Sequence, residues 1–108
     1  MFVYQLFHTY AVPDGAPQNL SVLPTSPFEA YAWWSPPHIE NQNGIIQTYI
    51  LNVTEVASGE EFQLSTYTTN ITIDSLSPDH LYTCAIAAGT TVGVGPQGHA
   101  QGVSAWVA

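Results

Sequence analysis

Three Asn-x-Ser/Thr triplets are the residues whose type and spacing could carry chemistry: Asn19-Leu20-Ser21, Asn52-Val53-Thr54 and Asn70-Ile71-Thr72. Each is an acceptor for N-linked glycan, and none has proline in the middle. The chain holds five asparagines, and three of them fall in such triplets. With about one residue in six being Ser or Thr, about one triplet would arise by chance. Each Asn sits next to an apolar residue in a β-rich run. Alternation therefore aims Asn19, Asn52 and Asn70 at solvent, where a bulky hydrophilic glycan needs to be.

Other chemistry finds little footing. The histidines His8, His38, His80 and His99 are scattered, without the spacing of a metal site. No Gly-x-Ser-x-Gly elbow occurs. Gly93-Val94-Gly95 stands in a turn between β-rich runs and not before a helix, so it does not form a phosphate loop. Glu60 and Glu61 are adjacent, and adjacent strand residues point apart, which suits neither acid–base work nor a calcium cage. The expectation is a non-catalytic chain without metal or cofactor.

Composition narrows the partners. The 108 residues have the size of one domain, with eight acidic residues and no Lys or Arg. Without a cation to meet phosphates, nucleic-acid binding is excluded as a function class. An anionic lipid surface should repel the chain, and no apolar run is long enough to span a bilayer. The formal charge of −8 suits a cationic partner. The single cysteine, Cys84, allows no internal disulfide and alternates with Tyr82 and Ile86 on an inward face. The opening MFVYQLFHTYA is no secretory signal: it lacks a positive start, and Gln5 and His8 interrupt its apolar run.

Helix signals are nearly absent. Breakers recur at Pro13-Asp14-Gly15, Pro24, Pro27, Pro36-Pro37, Asn43-Gly44, Ser58-Gly59, Pro78 and Gly93-x-Gly95-Pro96. The runs between them predict strands over 18–23, 28–35, 45–54, 61–67, 69–75, 81–89 and 98–107. The predicted inward set is Leu20 and Val22; Phe28, Ala30, Ala32 and Trp34; Ile46, Tyr49, Leu51 and Val53; Phe62 and Leu64; Ile71, Ile73 and Leu76; Cys84, Ile86 and Ala88; and Val103, Ala105 and Val107. Residues 1–12 form an apolar arm or linker, and 13–108 form the domain.

The spacing of particular residues resembles that of a fibronectin type III domain. Trp34-Ser35-Pro36-Pro37 matches the core tryptophan and following prolines of that family, and Tyr49 follows a Gly44-hydrophobic turn. Leu76-x-Pro78-x-x-x-Tyr82 matches its tyrosine corner, with Ile86 and Ala88 beyond and Gly93-x-Gly95-Pro96 in the last turn. The resemblance covers about residues 13–105. It implies a seven-stranded antiparallel β-sandwich of immunoglobulin-like topology, with Trp34, Tyr49, Leu76, Pro78, Tyr82 and Ile86 as structural core. An immunoglobulin domain is the nearest rival, since Tyr82-Thr83-Cys84 fits it. The partner cysteine is missing, however, and Trp34 lies on the second strand.

The resemblance further implies an extracellular or cell-surface module, a spacer or adhesion domain of a larger protein. Protein contacts are expected at loops 36–43 and 89–98. Arg-Gly-Asp, found in some members, is absent. Tyr31 and Trp33 depart from the pattern, being large aromatics on an outward face of the sheet that the first, second and fifth strands would share. They could stack on glycan or centre a protein contact. Phe2, Tyr4 and Leu6 on the arm are further candidate contacts, through packing on this domain or strand addition to a neighbour. The alternative function is therefore a self-assembling glycosylated filament subunit joined by the arm.

Overall fold

The computed structural model describes residues 11–98 and 101–104. The arm with Phe2, Tyr4 and Leu6, and the inward positions Ala105 and Val107, lie outside the described residues. Eight strand segments follow in order: β1 Gln18–Pro24, β2 Ala30–Ser35, β3 Thr48–Glu55, β4 Glu61–Thr66, β5 Asn70–Ile73, β6 Leu81–Gly89, β7 Val94–Gln97 and β8 Gln101–Ser104. One sheet has the order β1-β2-β5. The other has the order β4-β3-β6, with β7 and β8 both pairing antiparallel with β6. These two segments share one strand position, so the molecule is a sandwich of seven strands, as the sequence predicts.

Alternation builds the core. On β2, Ala30, Ala32 and Trp34 are buried while Tyr31, Trp33 and Ser35 are exposed. On β3, Tyr49, Leu51 and Val53 turn inward. Tyr82, Cys84, Ile86 and Ala88 meet them from β6, and Leu20, Ile73 and Leu76 close the core from the other sheet. Val22, Ile46, Phe62, Leu64 and Ile71 pack around its rim. Trp34 and Tyr49 join the sheets edge to face, with ring centroids 5.5 Å apart and planes at 62°, a geometry that aromatic quadrupoles favour. At the corner before β6, the Ser77 N–H donates to the Tyr82 hydroxyl at 2.8 Å. Asp79 takes φ 62° there, a conformation Asp tolerates. Pro78 is half-exposed and shapes this corner without filling the core.

Three boundaries differ from expectation. Phe28, placed inward from the sequence, is 55% exposed. The Thr25 N–H donates to Glu29 O at 2.9 Å, and the Phe28 N–H to Ser26 Oγ at 3.1 Å. This turn around Pro27 carries Phe28 outward before pairing begins at Ala30. The third strand starts at Thr48 and not at 45, because Asn43 and Gly44 both take positive φ and delay pairing. The last strand position starts at Val94 and not at 98. The Thr90 N–H donates to Gly93 O at 3.0 Å, closing a tight turn that leads straight into β7. Pro96, which has no N–H to give, sits where the pairing with β6 shifts register.

Replacing Trp34 with Ala should cost about 3–5 kcal/mol, read as a lowered denaturant midpoint with unchanged slope. Tyr82→Phe should cost about 1 kcal/mol, since it leaves the Ser77 N–H without its partner; an unchanged midpoint would contradict the corner geometry. Burial pushes the Cys84 thiol up to about 11 from 9.0. The raised value favours the fold fully below about pH 9, and this contribution is lost as pH rises through 11. A thiol reagent at pH 8 should therefore label Cys84 only after denaturant unfolds the chain.

Candidate interaction surfaces

The outer face of the β1-β2-β5 sheet carries an aromatic pair. Tyr31 and Trp33 are 38% and 41% exposed. Their rings stack at 5.6 Å with planes 27° apart. They lie two apart on the central strand β2, so the pleat sends both to one side. Across β1, Leu23 pairs with Tyr31 and Ser21 with Trp33. Across β5, Thr72 pairs with Tyr31 and Asn70 with Trp33. Leu23 is exposed and completes the apolar patch. Its outward place follows from its alternation with the inward Leu20 and Val22, whereas its position beside Tyr31 depends on the strand register. Leu23, Tyr31, Trp33, Trp34, Thr69 and Asn70 line one shallow depression.

The three sequon asparagines occupy unlike places. Asn70 is exposed at the start of β5, an edge strand. Asn19 is exposed and takes φ 59° where the β1–β2 register shifts. Asn52 is only half-exposed, against the expectation that it faces open solvent. It pairs with Gln63 on one side and Ala85 on the other. An interior strand crowds even its outward side chains, and the Asn52 Oδ1 is shielded without a hydrogen-bond partner among the described residues.

The second surface is the end of the sandwich formed by loop 36–47 and turn 90–93. Here the backbone of residues 11–14 is stitched to both. The Ala11 N–H donates to Asn43 O at 2.8 Å and the Asp14 N–H to Asn41 O at 3.0 Å. Asn43 Nδ2 donates to Val12 O at 3.0 Å, and the Thr90 hydroxyl to Ala11 O at 2.7 Å. Gly95 makes this possible, because a Cβ there would stand 2.3 Å from Pro13 O. The loop also contains a short 3-10 turn, Ile39–Asn41. On these segments Ile39 and Ile45 are 81% and 68% exposed, and Val92 on the turn is exposed as well. The sequence pointed to these loops but not to the stitching by residues 11–14, which depends on contacts far along the chain.

His80 Nε2 lies 3.4 Å from Glu55 Oε2, and its Nδ1 lies 2.8 Å from Pro78 O. Both contacts brace the corner at the surface. Among the described residues no three His, Cys, Asp or Glu side chains form a metal-binding group, and no helix is long and apolar enough to cross a membrane.

Known proteins share this architecture. The chain is 35% identical over 85 residues to receptor-type tyrosine-protein phosphatase F from Bos taurus, covering 79% of this chain and 4% of that protein. It is 34% identical over 93 residues to the cell adhesion molecule DSCAM from Rattus norvegicus, covering 80% of this chain and 5% of that protein. The chain thus spans about a twentieth of the length of these relatives. The crystal structure of the FN5 domain of Drosophila Lar superposes with a TM-score of 0.74 at 27% identity, covering 90% of this chain and all of that one. What is similar in the phosphatases is a sandwich module and not the phosphatase domain itself. The family profile matches residues 15–101. With its core tryptophan, tyrosine corner and sheet order in place, the chain belongs to the fibronectin type III domain family.

Proposed function

We propose that this chain is a non-catalytic spacer and protein-interaction module of a larger cell-surface protein, and that it meets its protein partner through loop 36–47 and turn 90–93. The observation that carries this reading is the exposure of Ile39, Ile45 and Val92 on a loop whose backbone is tied to residues 11–14 and on a turn held to them by the Thr90 hydroxyl. A rigid scaffold that presents apolar loop tips loses little entropy when a partner covers them. The similarity to modules of receptor phosphatases and adhesion molecules supports a place outside the cell. A chain with eight acidic residues and no Lys or Arg would favour a partner with a cationic rim around an apolar centre.

Cells displaying the full chain on a membrane anchor test this reading in an adhesion assay. Wild-type chain should promote adhesion. The variant carrying Ile39→Ser, Ile45→Ser and Val92→Ser should lose it at least tenfold while its melting temperature stays within about 2 °C, as exposed sites allow. Unchanged adhesion by the triple variant would remove the loops from the contact. No adhesion by either chain would reduce the module to a spacer.

A further inference from the structure

Among the described residues, Tyr31 and Trp33 are left exposed. Exposed aromatics are often shielded by the stems of Lys or Arg, which lie along apolar surface with the charge in water. This chain has neither residue. Yet Tyr31, Trp33 and Leu23 form a continuous apolar patch on the sheet, and such patches on soluble domains mark something that binds.

The sheet register identifies the occupant. The Trp34 N–H donates to Thr69 O at 3.0 Å. This bond makes Trp33 and Asn70, the next pair along, a non-hydrogen-bonded pair. Side chains of such a pair stand closest together in an antiparallel sheet, with Cβ atoms about 4.5–5.5 Å apart. Asn70 and Trp33 thus stand side by side on one face and line the same depression. Asn70 is exposed, on an edge strand, and among the described residues no further strand lies beyond it to obstruct a large substituent. Thr72, the third residue of the triplet, is exposed on the same face opposite Tyr31. Asn52 lacks these features, being flanked by strands on both sides.

We propose that Asn70 is an N-glycosylation site and that the first N-acetylglucosamine of its glycan packs on the Trp33–Tyr31 stack. A pyranose ring has one face of C–H groups, slightly positive, and an aromatic ring has a negative face. Linked to Asn70, the sugar needs no free association, so the entropy cost of bringing it to the ring is largely met by the covalent bond. The glycan then covers the patch and leaves the loop end of the module free. The site rests on the cell-surface reading, since the modification occurs along the secretory route.

The test supplies that route directly. The full chain is secreted from a eukaryotic host behind a cleavable leader, and peptide mass mapping reads occupancy at Asn70. Occupied Asn70 is expected, with the acetyl methyl of its first sugar shifted upfield in the NMR spectrum by the Trp33 ring. Trimming the glycan to one sugar should leave the melting temperature unchanged. Thr72→Ala, which abolishes this glycan alone, should lower it by about 4 °C. In a Trp33→Ala background the same change should have a clearly smaller effect, because the ring beside Asn70 is gone. An empty Asn70, an unshifted methyl, or an equal drop in the Trp33→Ala background would overturn the proposal. Because the leader imposes secretion, an empty Asn70 counts against the glycan site alone. Failure of the cell-surface reading would appear separately, as a native protein found inside the cell.

Discussion

Contact between the two sheets is the constraint on which the rest depends. Neither sheet can bury its apolar face alone, and the sheet that carries β2 has only three strands. Trp34 supplies the largest surface from that side and meets Tyr49 from the other. Small residues, Ala30 and Ala32 on β2 and Ala88 on β6, make room around these rings. Large side chains are thus set against small ones, the arrangement by which close-packed interiors fill space. Once this contact is made, the inward set of each strand is settled, and the outward set follows from the pleat.

The ends of the sandwich are held by polar bonds. At one end the Tyr82 hydroxyl receives the Ser77 N–H, while Glu55 and His80 approach nearby. At the other, residues 11–14 satisfy backbone carbonyls of loop 36–47 and accept the Thr90 hydroxyl of turn 90–93. Buried or half-buried backbone groups need such partners. The consequence for function is stiffness: the loop tips that carry Ile39 and Val92 hang from anchored backbone. Gly95 illustrates how narrow the tolerance is, since any side chain there would collide with Pro13.

An acidic chain without Lys or Arg must organise its surface by other means. It has no Lys or Arg to pair with its own carboxylates or to cover its aromatics. The cost to stability is small, because surface ion pairs contribute little. The cost to the surface is larger, and it falls on the Tyr31–Trp33 stack. A carbohydrate set beside this stack by strand register would do what a lysine stem does elsewhere. The module would then have distinct surfaces: one sheet face closed by sugar, and one end open to protein.

Much of this was legible in the residues themselves. A period of two assigned Trp34, Tyr49, Tyr82 and Ile86 to the core, and Tyr31 and Trp33 to the outside, because strand geometry leaves a side chain only two directions. The spacing from Leu76 to Tyr82 announced the corner. The absence of cations was plain from composition. Alternation says which way a side chain points, however, and not what stands beside it. Asn52 and Asn70 read alike in sequence, yet one is hemmed between two strands and the other borders an open edge next to Trp33. Phe28 fits the pattern of β2, but the turn at Pro27 carries it out. Gly95 reads as a turn residue and lies in β7 against Pro13. Direction is a local property of the backbone. Exposure and neighbourhood are set by residues tens of positions away, and only the assembled sandwich brings those residues together.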